Sequence, residues 1–178
     1  DTDDTMPGPT HRKVTDYYIP SDAGGDSTDN DINHGTHVSG TVAGDDGVWH
    51  EYDGQSDAGN GTYGPHDGQA FDATLQVQDI SYDGYYVFPP SDYHDMYQAA
   101  MDRDSWIHTN SWGSAGGDYA TSCAQTDDFV WSNQDFLVLY AAGNSGIWYN
   151  AVNPDSAAKN AISVGATYNG VYRNDVAD

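Results

Sequence analysis

Six consecutive apolar residues, Phe136-Leu137-Val138-Leu139-Tyr140-Ala141, leave this chain less freedom of fold than any other stretch. A run with no polar alternation suits a strand covered on both faces, as at the centre of a parallel sheet. Residues 161–166 read as a second strand of this kind. Residues 12–19 and 73–80 alternate with period two, and residues 106–112 form a strand running into the glycine-rich turn 113–117. Helical signals fall between these strands. His34 opens a helix after a loop rich in Asp, Gly and Ser, and Pro89-Pro90-Ser91-Asp92 marks another helix start, with Ser91 or Asp92 able to cap it. Tyr93, Met96, Tyr97 and Ala100 follow at the spacing of one buried helical face, and a further helix is expected over residues 122–133 with Phe129 and Val130 inward. Strands alternating with helices imply βαβ units, hence an α/β fold with a mostly parallel sheet and function gathered at the strands' carboxyl ends. Residues 47–66, rich in Gly, Asp, Asn and Tyr without helical or strand period, read as a surface insertion. With no repeat and no linker, residues 1–178 are expected to form one domain.

Two segments carry chemistry. His34-Gly35-Thr36-His37-Val38-Ser39-Gly40-Thr41-Val42-Ala43-Gly44 places small residues where a helix backbone can lie close to a neighbour. His34, at the helix start, can project into a cleft, and an imidazole there suits general-base work because it titrates near neutral pH. The bland alternative is that His34 and His37 merely cap and pack the helix. A metal reading of the pair requires a third ligand, and no HExxH-type motif is present. Ala141-Ala142-Gly143-Asn144-Ser145-Gly146 follows the apolar strand directly. There the Asn144 amide can donate to an oxygen that gains negative charge during acyl transfer, although a plain turn after a buried strand has a similar composition.

The first segment resembles the histidine motif of the subtilisin-like serine proteases, H-G-T-H-V-x-G-T-x-A-G. That resemblance implies a three-layer subtilisin-like fold with helices on both faces of the sheet. It makes His34 the catalytic base and Asn144 the oxyanion donor. Thr109-Asn110-Ser111-Trp112-Gly113 is similar to the family's strand beside the primary specificity pocket. Ser111, Trp112 and Gly113 are then one wall, and Ala141, Ala142 and Gly143 the other. An extended peptide or protein substrate would pair with this strand and with residues 81–85. Residues 107–113 and 158–167 most resemble the alkaline, oxidatively stable KP-43-type branch.

The chain also departs from the pattern. The family's G-T-S nucleophile motif is absent, so residues 1–178 read as the amino-terminal part of a catalytic domain, expected to be inactive alone. The orienting aspartate belongs to a D-T-G motif, and Asp1-Thr2-Asp3 matches two of its three positions. Asp1 is therefore either that aspartate, or part of a second Asp-Thr pair downstream of it, or a solvated terminal charge. The resemblance requires no cofactor; calcium is an optional structural ion, with oxygens available from residues 26–31 or Asp45-Asp46. It further implies a secreted monomer. The alternative function is a non-catalytic, acidic, calcium-binding module on a protease-like scaffold.

Charge narrows the partners. Twenty-eight acidic residues face five basic ones, a formal net charge of −23 that repels nucleic acid and anionic membranes. The carboxylates are dispersed and aromatics make up 13% of the chain, which argues against a disordered acidic tail. Dispersed carboxylates instead suit a protein kept hydrated in concentrated salt, where screening removes their mutual repulsion. Cys123 is the single cysteine, so no internal disulfide forms, and a packed thiol is expected. No stretch is apolar enough for a membrane span, and no signal-peptide pattern is present. The melting temperature is expected to rise from low to molar salt; equal melting temperatures in both would rule out a salt-adapted surface.

Overall fold

The computed structural model describes residues 7–9, 11–26, 34–45, 50–52, 55–57, 67–82, 85–114, 116–146 and 152–167. They fall into two compact units, Asp1–Ile19 with Ala23–Phe88 and Pro20–Asp22 with Pro89–Asp178.

In the first unit, strand β1 (Val14–Tyr18) precedes helix α1 (His34–Ala43), the short strands β2 (His50–Tyr52) and β3 (Gln55–Asp57), and strand β4 (Leu75–Gln78). β1 and β4 pair in parallel, from Val14 opposite Leu75 to Tyr18 opposite Gln78, with one irregularity between Val14 and Asp16. Both strands are half-buried at every position, without the in-and-out alternation of burial that their sequences suggest. The entry to β1 is fixed by the buried His11, whose Nδ1 accepts the Lys13 and Val14 amides at 3.0 and 2.8 Å. The Lys13 ammonium donates to the Phe71 carbonyl, and Arg12 pairs with Asp45 at 2.7 Å.

Helix α1 ends where residues 68–70 come up against it. The Gly68, Gln69 and Ala70 amides donate to the Gly44, Thr41 and Val42 carbonyls at 2.7, 3.1 and 2.7 Å. Carbonyls that a helix end leaves without partners are thereby satisfied. At the end of the helix the small residues do let a neighbour lie close, since a methyl group at Gly68 would come within 2.7–2.8 Å of the Gly40, Ala43 and Gly44 backbone. A methyl group at Gly35 or Gly40 would meet no described atom within 4 Å, and the close approach is confined to the helix's last turn. Inside the stretch 47–66, where the sequence shows no strand period, β2 and β3 form an antiparallel pair, His50 opposite Asp57. Strands of three residues are too short to show a period. Asp53-Gly54 between them, the composition favoured in two-residue hairpin connections, was the available signal.

The second unit contains helix α2 (Tyr93–Met101), strand β5 (Ile107–Asn110), helix α3 (Thr121–Ser132), strand β6 (Leu137–Ala141), a single 3₁₀ turn (Asp155–Ala157) and strand β7 (Ile162–Val164). The sheet order is β5-β6-β7, all parallel. α2 starts as its sequence predicts, with the Asp92 carboxylate accepting the His94 amide at 3.0 Å. Its stripe Tyr93, Met96, Tyr97 and Ala100 is buried against Phe129 of α3 and against Phe136, Val138 and Tyr140, so both helices cover one face of β6. Burial on this scale drives the packing, at about 25 cal/mol per Å² of apolar surface. Inside it the Tyr97 hydroxyl lies 2.8 Å from both the Thr126 and the Tyr140 hydroxyls. Cys123 is buried as expected, its thiol donating to the Pro154 carbonyl at 2.7 Å. β7 differs from its expectation of full burial. Ile162 and Val164 are 48% and 47% exposed, because within this unit β7 pairs only with β6 among the described residues. No helix among the described residues is long and apolar enough to cross a membrane.

His94 links the two helices: its Nδ1 lies 2.6 Å from Asp92 and its Nε2 3.0 Å from Asp128. Partial desolvation pulls its pKa down, but hydrogen bonds and charge from Asp92 and Asp128 outweigh it, and the net shift is upward.

Two tests follow from this packing. Tyr97→Phe strands the buried Tyr140 hydroxyl and is expected to cost about 1–3 kcal/mol in urea denaturation; an unchanged midpoint would show that the phenol pair adds nothing. A raised folded-state pKa makes the His94 bridge fully effective below the unfolded value of 6.5 and removes it as pH rises through the folded value. His94→Asn should therefore destabilise at pH 5.5 by less than about 1 kcal/mol, since the pair is partly exposed, and be neutral at pH 9. An equal effect at both pH values would refute the assignment.

Candidate active site

Ile107 to Asn110 stand opposite Leu137 to Tyr140, so the neighbouring parallel strands β5 and β6 end at the same edge of the sheet. The buried Asn110 amide donates to the Leu139 carbonyl at 3.1 Å and holds the two ends together. From this edge residues 111–114 leave β5 and residues 142–146 leave β6, and segments at the carboxyl ends of parallel strands are where such sheets hold ligands. The Trp112 ring does not face outward. It packs edge-on against Tyr93 and Tyr140, with centroids 5.9 and 5.7 Å away, while Gly113 beside it is exposed. Across from it Gly143 has φ 114°, which an L side chain rarely adopts, and this turn carries Asn144 out of the sheet with its side chain exposed.

Two residues that sequence reasoning passed over organise this edge. Asn153 donates its side-chain amide to the Ala141 carbonyl at 2.6 Å and its backbone amide to the Ala142 carbonyl at 2.8 Å. The Asp155 carboxylate, buried to 4% exposure, accepts from the Tyr93 hydroxyl at 3.1 Å and from the Ser114 backbone amide and hydroxyl at 3.2 and 3.3 Å. Asn-Pro-Asp at 153–155 is turn chemistry, the one sequence signal that pointed to them.

The titrating groups nearby are structural. Burial, and then the Asp155 charge, raises the Tyr93 phenol, and burial also raises Tyr140. Tyr97 is pushed up to about 12, chiefly by burial. These phenols stay protonated at neutral pH and act as hydrogen-bonding groups. His108, on β5, is lowered to about 4 by burial, with the Asn110 hydrogen bond opposing. A histidine held neutral in this way is no general acid near neutrality.

Of the expected site residues, this unit brings together Ser111, Trp112, Gly113, Ala141, Ala142, Gly143 and Asn144. His34 belongs to the first unit, where it is the exposed first residue of α1, and His37 is exposed one turn on, its carbonyl accepting the Thr41 hydroxyl at 3.0 Å. Asp1 lies outside the described residues, as do residues 27–31 and Asp46 of the calcium expectation. Asp45 is engaged by Arg12, and Asp26 donates its amide to the Asp79 carboxylate at 3.1 Å. Among the described residues no group of three or more His, Cys, Asp or Glu side chains could hold a metal ion.

Parallel strands alternating with helices define an α/β chain, with a histidine opening one helix and an asparagine following one strand end. The model of the subtilase family (peptidase S8) matches residues 5–177, and the chain belongs to that family. It is similar to the serine protease/ABC transporter B family proteins tagB and tagD of Dictyostelium discoideum, each 32% identical over 163 residues, covering 88% of this chain and 8% of theirs. The tagA protein of that organism is 32% identical over 173 residues, covering 92% of this chain and 9% of its own. The chain thus spans less than a tenth of the length of these relatives.

Proposed function

We propose that this chain carries the general base, the oxyanion donor and the specificity walls of a serine endopeptidase. The observation that carries this reading is Asn144, exposed at the end of β6 on the sheet edge that also bears residues 111–113. Family membership and relatives named as serine proteases support it.

On this reading a serine supplied from outside residues 1–178 attacks the substrate carbonyl. His34 takes the serine proton and later returns it to the leaving amine, completing the proton balance of acyl transfer. The Asn144 amide donates to the carbonyl oxygen as it gains negative charge; in subtilisin, loss of this donor costs about 10²–10³ in turnover. An aspartate, Asp1 or a residue upstream of it, orients the imidazole. Ser111, Trp112 and Gly113 on one side and Ala141, Ala142 and Gly143 on the other receive the side chain before the scissile bond. The substrate is a peptide or protein, and the acidic surface disfavours nucleic acid and anionic membranes.

The finer proposals rest on the same supports. Placement in the KP-43-type branch rests on residues 107–113 and 158–167, and a secreted monomer with at most structural calcium follows from family resemblance. Life in concentrated salt rests on the net charge of −23.

In the full-length protein His34→Ala is expected to abolish casein hydrolysis. In subtilisin the equivalent loss is about 10⁶ in turnover, a value carried over by family. Undiminished hydrolysis would rule out His34 as the base.

A further inference from the structure

The turn at residues 153–155 touches both strand-end segments of the second unit. Asn153 holds the β6 side through the Ala141 and Ala142 carbonyls. Its carboxamide also lies so close to Gly113 that a methyl group there would come within 2.5–2.7 Å of it. Two residues on, Asp155 holds the β5 side through both donors of Ser114. Tyr93 donates to the other carboxylate oxygen, and its ring packs against Trp112, so the carboxylate is fixed to the same core that seats the wall. Asn153 in turn accepts the Ser156 amide at 2.9 Å, which closes the turn on itself. The strands end at Asn110 and Ala141; beyond them the Ala142 amide still donates to the Val164 carbonyl at 2.9 Å, and the contacts of Asn153 and Asp155 are added to that bond.

We propose that Asp155 is a positioning residue: by holding Ser114 it sets the separation of the 111–114 segment from the 141–143 segment, and so the size of side chain admitted between them. Asp155 touches no substrate; it acts through Ser114. A buried carboxylate taking three donors fixes geometry strongly, because each donor released would leave that charge less compensated. The kinetic part rests on the peptidase reading, whereas the anchoring part does not.

The test uses the full-length protein with Asp155→Ala, Asp155→Asn and Ser114→Ala. Hydrogen exchange is read by mass spectrometry on peptides covering residues 110–118 and 136–141. In Asp155→Ala the first peptide should exchange at least about ten-fold faster at Ser114, with the second unchanged. Asp155→Asn, which keeps an acceptor, should restore most of the protection, and Ser114→Ala, which removes one of two donors, should show a smaller change. Unchanged exchange in 110–118, or an even rise across both peptides, would overturn the proposal. In kinetics, Asp155→Ala should raise KM about ten-fold for a peptide anilide with Phe before the scissile bond, with kcat within about three-fold and a different effect on the Ala analogue. Equal effects on both substrates would overturn the specificity role. Wild-type protein that cleaves neither substrate would sink the peptidase reading, while the exchange result would still decide the anchoring.

Discussion

The hydrogen bond between the Tyr97 and Tyr140 hydroxyls, deep in the second unit, is the contact around which that unit is arranged. Phenol oxygens in an apolar interior are costly unless paired, so α2 and β6 must dock in the one register that joins them. Thr126 from α3 completes the pairing, and the same stack of rings, Tyr93, Tyr97, Phe129 and Phe136, fills the space between helices and sheet. Because Tyr140 immediately precedes Ala141, fixing its position also fixes where β6 ends and the exposed Asn144 turn begins.

From that core, order passes outward by hydrogen bonds rather than by apolar burial. Trp112 is seated on Tyr93 and Tyr140, Tyr93 holds Asp155, and Asp155 holds Ser114. Of the residues expected to face a substrate, Gly113, Gly143 and Asn144 are exposed, while Trp112 and the neighbouring segment are anchored from behind. This division suits a binding slot, which needs open surface and a fixed shape together. The first unit uses a related device, since the residues after α1 return to satisfy the carbonyls of the helix that presents His34.

Much of this was legible in the sequence where a residue's role depends on near neighbours. The buried stripe of α2 was readable because four apolar residues fall on one helical face, and its cap because Asp92 stands immediately before the first turn. The strands β1, β4, β5 and β6 were visible from alternation or from an apolar run. His34 and Asn144 stood out because their motifs are local. The three-residue strands β2 and β3 were missed, because a period cannot be seen in so few residues. The exposure of β7 was missed because an apolar run says nothing about which strands will pair on either side of it.

The sequence alone determined the α/β class, the order of the longer strands and helices, the family and the motif-bearing residues, since these follow from periodicity and from short strings of residue types. Only the tertiary structure decided that Asn153 and Asp155 brace the sheet edge, that Trp112 turns into the core, and that Asp45 is neutralised by Arg12. The Asn153–Ala141, Arg12–Asp45 and Asp155–Ser114 pairings span 12, 33 and 41 positions along the chain. Which donor meets which buried acceptor at such separations is set by the docking of helices on the sheet, and no local pattern encodes it.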